Sequence, residues 1–345
     1  MNERQPILDR LYQGHAISRE DTKILFGDIV QGEMDPVTMA GMLVAMKMRG
    51  ETIDEVSGAA DALLQAAKPF PTPSDTTRAQ GVVDIVGTGG DGHNTINIST
   101  TSAFVAAAAG AKVAKHGNRS VSSKSGSSDL LAQFGIDLTM APEIARDCLD
   151  DLGLCFLFAP HYHGGVRHAV PVRQALKTRT LFNVLGPLIN PARPDYMLLG
   201  VYDEKLVRPI CDVLKALDVK RAMVVHGSGL DEVAIHGDTL VCELQQGAIR
   251  EYRLTPEQLG LHQTSIEALC GGDPQENAEI TRAILQGNGK LAHTEAVAAN
   301  AGCALYVAGL SDTPAQGVAL ALEILKHGKA YSLLEQLASA SQGNN

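Results

Sequence analysis

The chain has 345 residues, which is enough for one large domain and a smaller one. Its formal net charge of −10 disfavours general electrostatic attraction to nucleic acid or to an anionic membrane. The six cysteines are scattered without a C-x-x-C pair, which favours reduced thiols over a disulfide framework or a zinc site. The first residues lack the apolar segment of a secretory signal, and the most apolar run is too short to span a bilayer. We therefore expect a cytoplasmic protein.

The N-terminal fifth of the chain predicts helices alone. A capping-box pattern begins at Ser18, and Asp35-Pro36 places a proline at a typical first helical position. A third amphipathic segment follows, capped at Thr52 or Asp54. The proline-, threonine- and serine-rich stretch from 68 to 77 predicts a linker. These patterns indicate a small all-helical N-terminal domain.

After Gly81 the pattern changes to strands that alternate with helices, which is typical of an α/β sheet. The predicted strands are 82–86, 113–114, 155–158, 197–201 and 222–225, with an antiparallel pair at 239–244 and 249–254. Helices are predicted at 100–109, 129–135, 142–152 and 205–217, and again beyond residue 274. We expect a larger α/β domain with a central, mostly parallel mixed sheet flanked by helices.

A glycine-rich loop, GTGGDG at 87–92, lies between the first predicted strand and the helix that follows it. Its four glycines allow positive φ and let a ligand approach the backbone, while loop amides and a helix N-terminus favour anions. The loop lacks both the P-loop signature and the dinucleotide G-x-G-x-x-G spacing. A tight strand-to-helix turn is the less favoured alternative for the loop alone. The hydroxyls and amide of NIST at 97–100 favour a phosphate site instead.

Two further polar segments follow predicted strands. KHGNRS at 115–120 carries two permanent cations, and a serine-rich stretch at 122–128, here called the serine loop, comes next. Ligands of α/β sheets bind at the carboxyl ends of strands, so this position favours a diphosphate site over a solvated basic turn. Asp231-Glu232 follows another strand and suits Mg²⁺, which takes few carboxylates and completes its shell with water and phosphate oxygens. By itself this pair favours an exposed acidic turn, and only the polyanion site predicted elsewhere, which requires a cation, favours Mg²⁺.

The motifs continue along the chain with SGSSD at 125–129, PVR at 171–173, RTLFN at 179–183, GPL at 186–188 and GLDE at 229–232. Together they closely resemble the anthranilate phosphoribosyltransferase family of tryptophan biosynthesis, in order and over most of the chain. The resemblance implies Mg²⁺-dependent transfer of the phosphoribosyl group from 5-phosphoribosyl 1-diphosphate (PRPP) to the amine of anthranilate. It also implies a homodimer joined through the helical parts. The implied domains are a helical one at 1–78 with 165–185, and an α/β one at 79–164 and 186–345.

The resemblance also implies site residues. PRPP would contact Gly87, Gly90, Asp91, Thr95, Asn97, Ile98, Ser99, Thr100, Lys115, His116, Gly117, Asn118, Arg119, Ser120, Val121, Ser122, Ser123 and Ser127. Two Mg²⁺ ions are expected, held by Ser99, Asp231 and Glu232. Anthranilate would contact Gly87, Asn118 and Arg173, since arginine can hold a carboxylate with two hydrogen bonds. No residue is assigned as a general acid or base.

Two other functions stay open at this point. A pyrimidine nucleoside phosphorylase-like enzyme would share the architecture and the Lys-His pair, and it would have no need of Asp231-Glu232. A non-catalytic nucleic-acid-binding relative of the same fold would need a basic surface, which the net charge of −10 disfavours. We expect small-molecule substrates and neither a nucleic-acid nor a membrane partner.

Overall fold

The computed structural model describes residues 4–119 and 124–343. Contacts between residues divide the chain into two compact units. The helical unit comprises Met1–Pro69, Ala159–Pro191 and Asp212–Asp218, and the α/β unit comprises Phe70–Phe158, Ala192–Cys211 and Val219–Asn345. The boundaries expected from the resemblance lie at 78 and at 165–185, and they do not include the short segment 212–218.

Caps that were visible in the sequence define the first helices of the helical unit. The side chain of Ser18 accepts from the Asp21 amide, Asp35 accepts from two amides of the next turn, and Thr52 forms a capping box with Glu55. Met39, Met42, Met46, Leu25 and Phe26 are among the fully buried side chains. The helices are α1 Arg4–Tyr12, α2 Arg19–Gln31, α3 Pro36–Arg49, α4 Ile53–Gln65, α9 Ala159–Tyr162, α10 Val170–Leu176 and α11 Phe182–Leu185.

The α/β unit is built on a seven-stranded sheet with the order β3-β2-β1-β4-β5-β6-β7. The first five strands in that order are parallel, and the last two pair antiparallel. The predicted mostly parallel mixed sheet is therefore confirmed. The strands are β1 Val82–Gly87, β2 Lys112–Gly117, β3 Leu154–Phe158, β4 Tyr196–Gly200, β5 Arg221–Gly227, β6 Thr239–Gln245 and β7 Ala248–Leu254.

Helices flank this sheet, and two of them, rich in small apolar residues, are almost fully buried. They are α6 Ile98–Ala108 and α14 Leu291–Val307, which pack against each other and against the sheet. The others are α5 Asp75–Gln80, α7 Ser127–Gln133, α8 Pro142–Asp151, α13 Pro274–Leu285, α15 Pro314–Lys326 and α16 Lys329–Ser341, while α12 Val207–Ala216 is divided between the two units. Within the described ranges, none of the helices has the length and apolar character needed to cross a membrane.

One predicted linker is partly helical. Composition alone predicted an irregular stretch from 68 to 77, yet α5 begins inside it at Asp75. The Ser74 hydroxyl caps this helix by accepting from the Thr77 amide, a local signal that the proline and threonine content concealed.

The strand order reverses between β1 and β4. β1 lies beside β2 on one side and β4 on the other, and Gly87 stands opposite Gly200 in the register. Open α/β sheets bind ligands outside the carboxyl ends of their strands at such a reversal. The ends of β1, β2, β4 and β5 therefore mark the edge at which a site is expected.

Candidate active site

Four parallel strands at this edge end in glycine, and we call these residues the glycine rim: Gly87, Gly117, Gly200 and Gly227. A Cβ at Gly87 would lie 2.2 Å from Asp231 Oδ2, and one at Gly200 would lie 1.6 Å from the Asp231 carbonyl oxygen. At Gly227 it would lie 2.4 Å from the Glu232 carbonyl oxygen, and at Gly117 2.4 Å from Ser127 Oγ. The acid pair and the serine loop therefore lie directly on the strand ends, where a side chain would displace them.

Asp231 and Glu232 lie in the interior of this edge rather than on an exposed turn. Asp231 is 9% exposed, and its Oδ2 accepts from the Gly89 amide at 2.6 Å. Glu232 is half-buried, and its Oε1 accepts from the Ser99 amide at the start of α6 at 3.2 Å. Burial, together with the nearby Asp91 carboxylate, raises the pKa of Asp231 to about 7. Burial and Asp231 raise the pKa of Glu232 to about 8. Two adjacent carboxylates of this kind, one buried and one half-buried, favour a bound cation.

Two side chains, one near in sequence and one distant, fix the two ends of the acid-pair segment. His226 Nδ1 contacts the Val201 carbonyl at 2.8 Å, while its Nε2 accepts from the Gly229 amide at 3.2 Å. Because a carbonyl only accepts and an amide only donates, the ring carries its proton on Nδ1. On the other side, the buried Asn300 amide accepts from the Val233 N–H at 2.9 Å and donates to its carbonyl at 3.0 Å.

The glycine loop has the backbone that its sequence predicted. Gly89, Gly90 and Gly92 adopt φ values of +70°, +81° and +84°, which side chains disfavour. The Thr88 amide donates to the Gly200 carbonyl at 2.9 Å, which fastens the start of the loop to the end of β4. Asp91 Oδ1 accepts from the His93 amide at 3.0 Å and closes the next turn.

Residues 94–96, which follow the glycine loop, are paired with a segment far along the chain. Thr95 forms an isolated β-bridge with Cys270, and the Ile96 amide donates to the Leu269 carbonyl at 3.0 Å. The Gly271 amide donates back to the Asn94 carbonyl at 2.8 Å. Nothing local in the sequence indicated that segment 269–271 supports the loop.

Lys115 has a different environment from the exposed loop cation that its motif suggested. Its side chain is buried, and Nζ donates to the Ile85 carbonyl at 2.6 Å. Burial lowers the pKa of Lys115, an effect that the carboxylates of Asp84, Glu232 and Asp231 oppose. The side chain therefore interacts electrostatically with the acid pair. A direct PRPP contact from Lys115 stays a prediction.

The other predicted residues divide between the two units and the part of the chain outside the described ranges. The α/β unit brings Gly87, Asp91, Ser99, Asp231 and Glu232 together at one edge of the sheet. Ser127 Oγ donates to the Asn118 carbonyl at 3.1 Å beside the end of β2. The same unit contains the predicted PRPP contacts Gly90, Thr95, Asn97, Ile98, Thr100, Lys115, His116, Gly117 and Arg119. Four other predicted contacts lie outside the described residues: Ser120, Val121, Ser122 and Ser123.

Arg173, the predicted carboxylate-binding residue, belongs to α10 of the helical unit. It is half-buried, and burial lowers the pKa of its guanidinium, which lies 5.3 Å from the centre of the Phe182 ring. No carboxylate pairs with it in the described part of the chain. A partly desolvated arginine held on an aromatic ring suits a ligand carboxylate.

Comparison with known proteins identifies the family. The helical bundle domain of the glycosyl transferase family matches residues 5–67, and the a/b domain of that family matches residues 79–331. A curated anthranilate phosphoribosyltransferase from Shewanella loihica is 84% identical over 345 residues, covering 100% of this chain and 99% of its own. The chain belongs to the anthranilate phosphoribosyltransferase family. The family recognised from the motifs and the enzyme class are thereby confirmed.

Solved structures of anthranilate phosphoribosyltransferases share the fold. The protein from Thermus thermophilus is 42% identical, with a TM-score of 0.92 over 97% of this chain and 99% of its own. The protein from Saccharomyces cerevisiae, solved in complex with PRPP and Mg, is 25% identical, with a TM-score of 0.87 over 98% of both chains. The predicted fold class, with a small helical domain and a larger α/β domain, is confirmed.

Proposed function

We propose that the chain transfers the 5-phosphoribosyl group of PRPP to the amine of anthranilate. The products are N-(5-phosphoribosyl)anthranilate and diphosphate, in the second step of tryptophan biosynthesis from chorismate. Membership of the family supports the reaction, and one observation carries the site: a buried acid pair set against loop and helix amides where the strand order reverses. A cytoplasmic location remains a prediction, and no nucleic-acid or membrane partner is proposed.

The donor set fits Mg²⁺. Within residues 4–119 and 124–343, no group of three or more His, Cys, Asp or Glu side chains is placed to hold a metal ion. Asp231 and Glu232 nevertheless suit Mg²⁺, because this ion takes one or two carboxylates and completes its shell with water and substrate phosphates. We propose that they hold it together with the Ser99 hydroxyl, and that two ions bind with PRPP. Bound Mg²⁺ would stabilise the negative charge that develops on the departing diphosphate.

The protein's own residues act mainly by positioning. The C1–O bond to diphosphate breaks and the C1–N bond to anthranilate forms, after which the amine loses a proton. An aromatic amine is already neutral at pH 7, so the reaction requires no strong base, and none is assigned. We propose that the glycine loop, the start of α6 and the serine loop hold PRPP, while Gly87, Asn118 and Arg173 hold anthranilate. Orienting two reactants in this way can supply much of the rate enhancement.

The assay for this proposal follows the loss of anthranilate fluorescence in the presence of PRPP and Mg²⁺. We expect the anthranilate fluorescence to fall only when the protein, PRPP and Mg²⁺ are all present. No loss would contradict the proposal. Uridine or thymidine with inorganic phosphate tests the nucleoside phosphorylase alternative, and DNA binding at physiological salt tests the nucleic-acid-binding one; neither is expected to give a signal.

The variant Arg173→Gln is expected to raise the KM for anthranilate by about tenfold or more, because a charge-assisted pair of hydrogen bonds is lost. The KM for PRPP should change little, and steady-state kinetics with each substrate varied in turn measures both. Lys177→Gln is the matched control, since Lys177 is an exposed cation directly after α10. A rise confined to the KM for PRPP would show that Arg173 is wrongly assigned.

An apolar face on α3 supports the proposed homodimer. Val37 is 82% exposed and Met48 is 79% exposed, and Val44 lies between them on the same face at helical spacing. Tyr12 of α1, half exposed, lies beside this face against Gly41. Exposed apolar patches of this kind mark interaction surfaces. We propose that a second copy of this chain covers it.

Met48→Glu combined with Val37→Glu is expected to convert the protein to a monomer, because each buried glutamate would lose its hydration without a partner. Sedimentation velocity of the purified protein measures the change. Leu291→Glu, at a 64% exposed position in the α/β unit, is the control and should leave the oligomeric state unchanged. A wild-type monomer, or a double variant that remains dimeric, would contradict the proposal.

A further inference from the structure

Two asparagine amides, Asn277 buried and Asn97 half-buried, link Gly272 to the serine loop. Asn277, on α13, is 1% exposed, and its Oδ1 accepts from the Gly272 amide at 2.8 Å. Its Nδ2 donates to Asn97 Oδ1, just before α6, at 2.9 Å. Asn97 Nδ2 donates in turn to the Ser125 carbonyl at 3.1 Å, and its Oδ1 also accepts from Ser125 Oγ at 3.2 Å. A continuous path of hydrogen bonds therefore runs from residue 272 to the serine loop.

The direction of every bond in this path follows from its first member. The Gly272 N–H can only donate, so it requires Oδ1 of Asn277 and turns the NH₂ group of Asn277 toward Asn97. Asn97 must then present its oxygen to Asn277 and its own NH₂ group to the Ser125 carbonyl. Because a buried polar group left unpaired is costly, the path has only one favourable arrangement.

We propose that Asn277 is a positioning residue for PRPP, acting through Asn97 to hold the serine loop at Ser125. The inference rests on the proposed function, in which both loops contact PRPP. Asn97 is itself a predicted PRPP contact, yet both ends of its amide are engaged within the protein. The support behind it comes from segment 269–272, which is also paired with residues 94–96 directly after the glycine loop. Asn277 therefore connects segment 269–272, Asn97 and the serine loop within the proposed PRPP site.

Asn277→Asp is the decisive variant, because it keeps the size of the side chain and the acceptor for Gly272 while it removes the NH₂ group. Asn97 must then turn its own NH₂ group toward the new carboxylate, which leaves its oxygen against the Ser125 carbonyl. The dissociation constant and the KM for PRPP are expected to rise about tenfold, as for one buried hydrogen bond lost. The KM for anthranilate should change by less than about twofold, because the variant acts on the loop proposed to hold PRPP. A change of that size corresponds to about 0.5 kcal/mol, the usual limit for a substitution away from the feature tested.

Two further variants separate this role from packing. Asn277→Ala leaves Asn97 free to keep its orientation, so its effect on PRPP affinity should be smaller than that of Asn277→Asp. Thr281→Val is the matched control one turn later on α13; it removes a contact with Thr101 at 3.2 Å and leaves the amide path intact. It should leave PRPP affinity unchanged. A merely structural role would make alanine the more damaging change at Asn277.

A double-variant cycle completes the test. In an Asn97→Ala background the path of hydrogen bonds is already interrupted. Adding Asn277→Asp should then have no further effect on PRPP affinity. Calorimetric titration of the full chain with PRPP and Mg²⁺ measures affinity without anthranilate. A wild-type protein that binds PRPP and does not consume anthranilate would overturn the proposed function alone. Additive effects in the cycle, equal effects of Asn277→Asp and Thr281→Val, or no PRPP binding by the wild type would overturn the role of Asn277.

Discussion

Asp231→Asn and Glu232→Gln are each expected to lower kcat/KM by about a hundredfold or more, since a metal site that loses a carboxylate ligand loses several kcal/mol of charge stabilisation. Both changes keep the size of the side chain and an oxygen for the amides of Gly89 and Ser99. The loss should therefore come from the missing negative charge rather than from a damaged fold. Initial rates over a series of Mg²⁺ concentrations measure the effect, and half-saturation should move to higher Mg²⁺.

Asp238→Asn is the control for this pair of variants. Asp238 is an exposed carboxylate on the same connection between β5 and β6, so its neutralisation changes the net charge of the protein equally. It should leave both turnover and the response to Mg²⁺ unchanged. Retained Mg²⁺-dependent turnover in Asp231→Asn and Glu232→Gln would remove the acid pair from the metal site.

Gly200→Ala is expected to abolish most activity and to lower the free energy of unfolding by about 1 to 3 kcal/mol, the usual range for overpacking. The added methyl carbon would lie 1.6 Å from the Asp231 carbonyl oxygen, so the main chain of the acid-pair segment must move. At Gly87 the same change meets the Asp231 carboxylate oxygen at 2.2 Å, and a side chain can rotate away. Gly87→Ala should therefore reduce activity with a smaller loss of stability.

Denaturant unfolding and the fluorescence assay together measure these two effects. Gly27→Ala in α2 is the matched control, because nothing lies within 4 Å of its added carbon. Alanine is the better helix former by about 1 kcal/mol, so this control should be as stable as the wild type or more so. A Gly200→Ala protein with normal stability and activity would show that the strand end and the acid pair are not in close contact.

The sequence alone predicted the parts of this molecule that depend on neighbours along the chain. Caps at Ser18 and Thr52, the alternation of strands and helices, and the positive φ of the glycine loop are all local properties. The motif ending in Asp231-Glu232 was visible for the same reason. The return of 159–191 to the helical unit is not local; the resemblance to a family implied a return, with the narrower bounds 165–185.

What the sequence could not predict is which distant residues support the site. Asn277 and Asn97 are 180 positions apart, and Gly89 and Asp231 are 142 apart. A single chain carries no record of such pairings, since hydrogen-bond partners depend on how strands and helices stack. Asn300 carried a weak sequence signal of a supporting role, because it is a lone amide in an apolar, alanine-rich helix. Burying such an amide is costly unless it has hydrogen-bond partners. The polar motif around Lys115 was misleading, because it suggested an exposed cation whereas the side chain is buried.

The glycine rim restricts where this enzyme can diversify. A side chain at any of its four positions displaces the acid pair or the serine loop, so a mutation there damages the reaction before it can change the substrate. On the proposed function, substitutions at the positions that hold PRPP are therefore expected to be rejected. Arg173 and its neighbours along the chain belong to the helical unit and carry none of the four rim glycines. Altered acceptor preference should arise by mutation in the helical unit, with all four glycines retained.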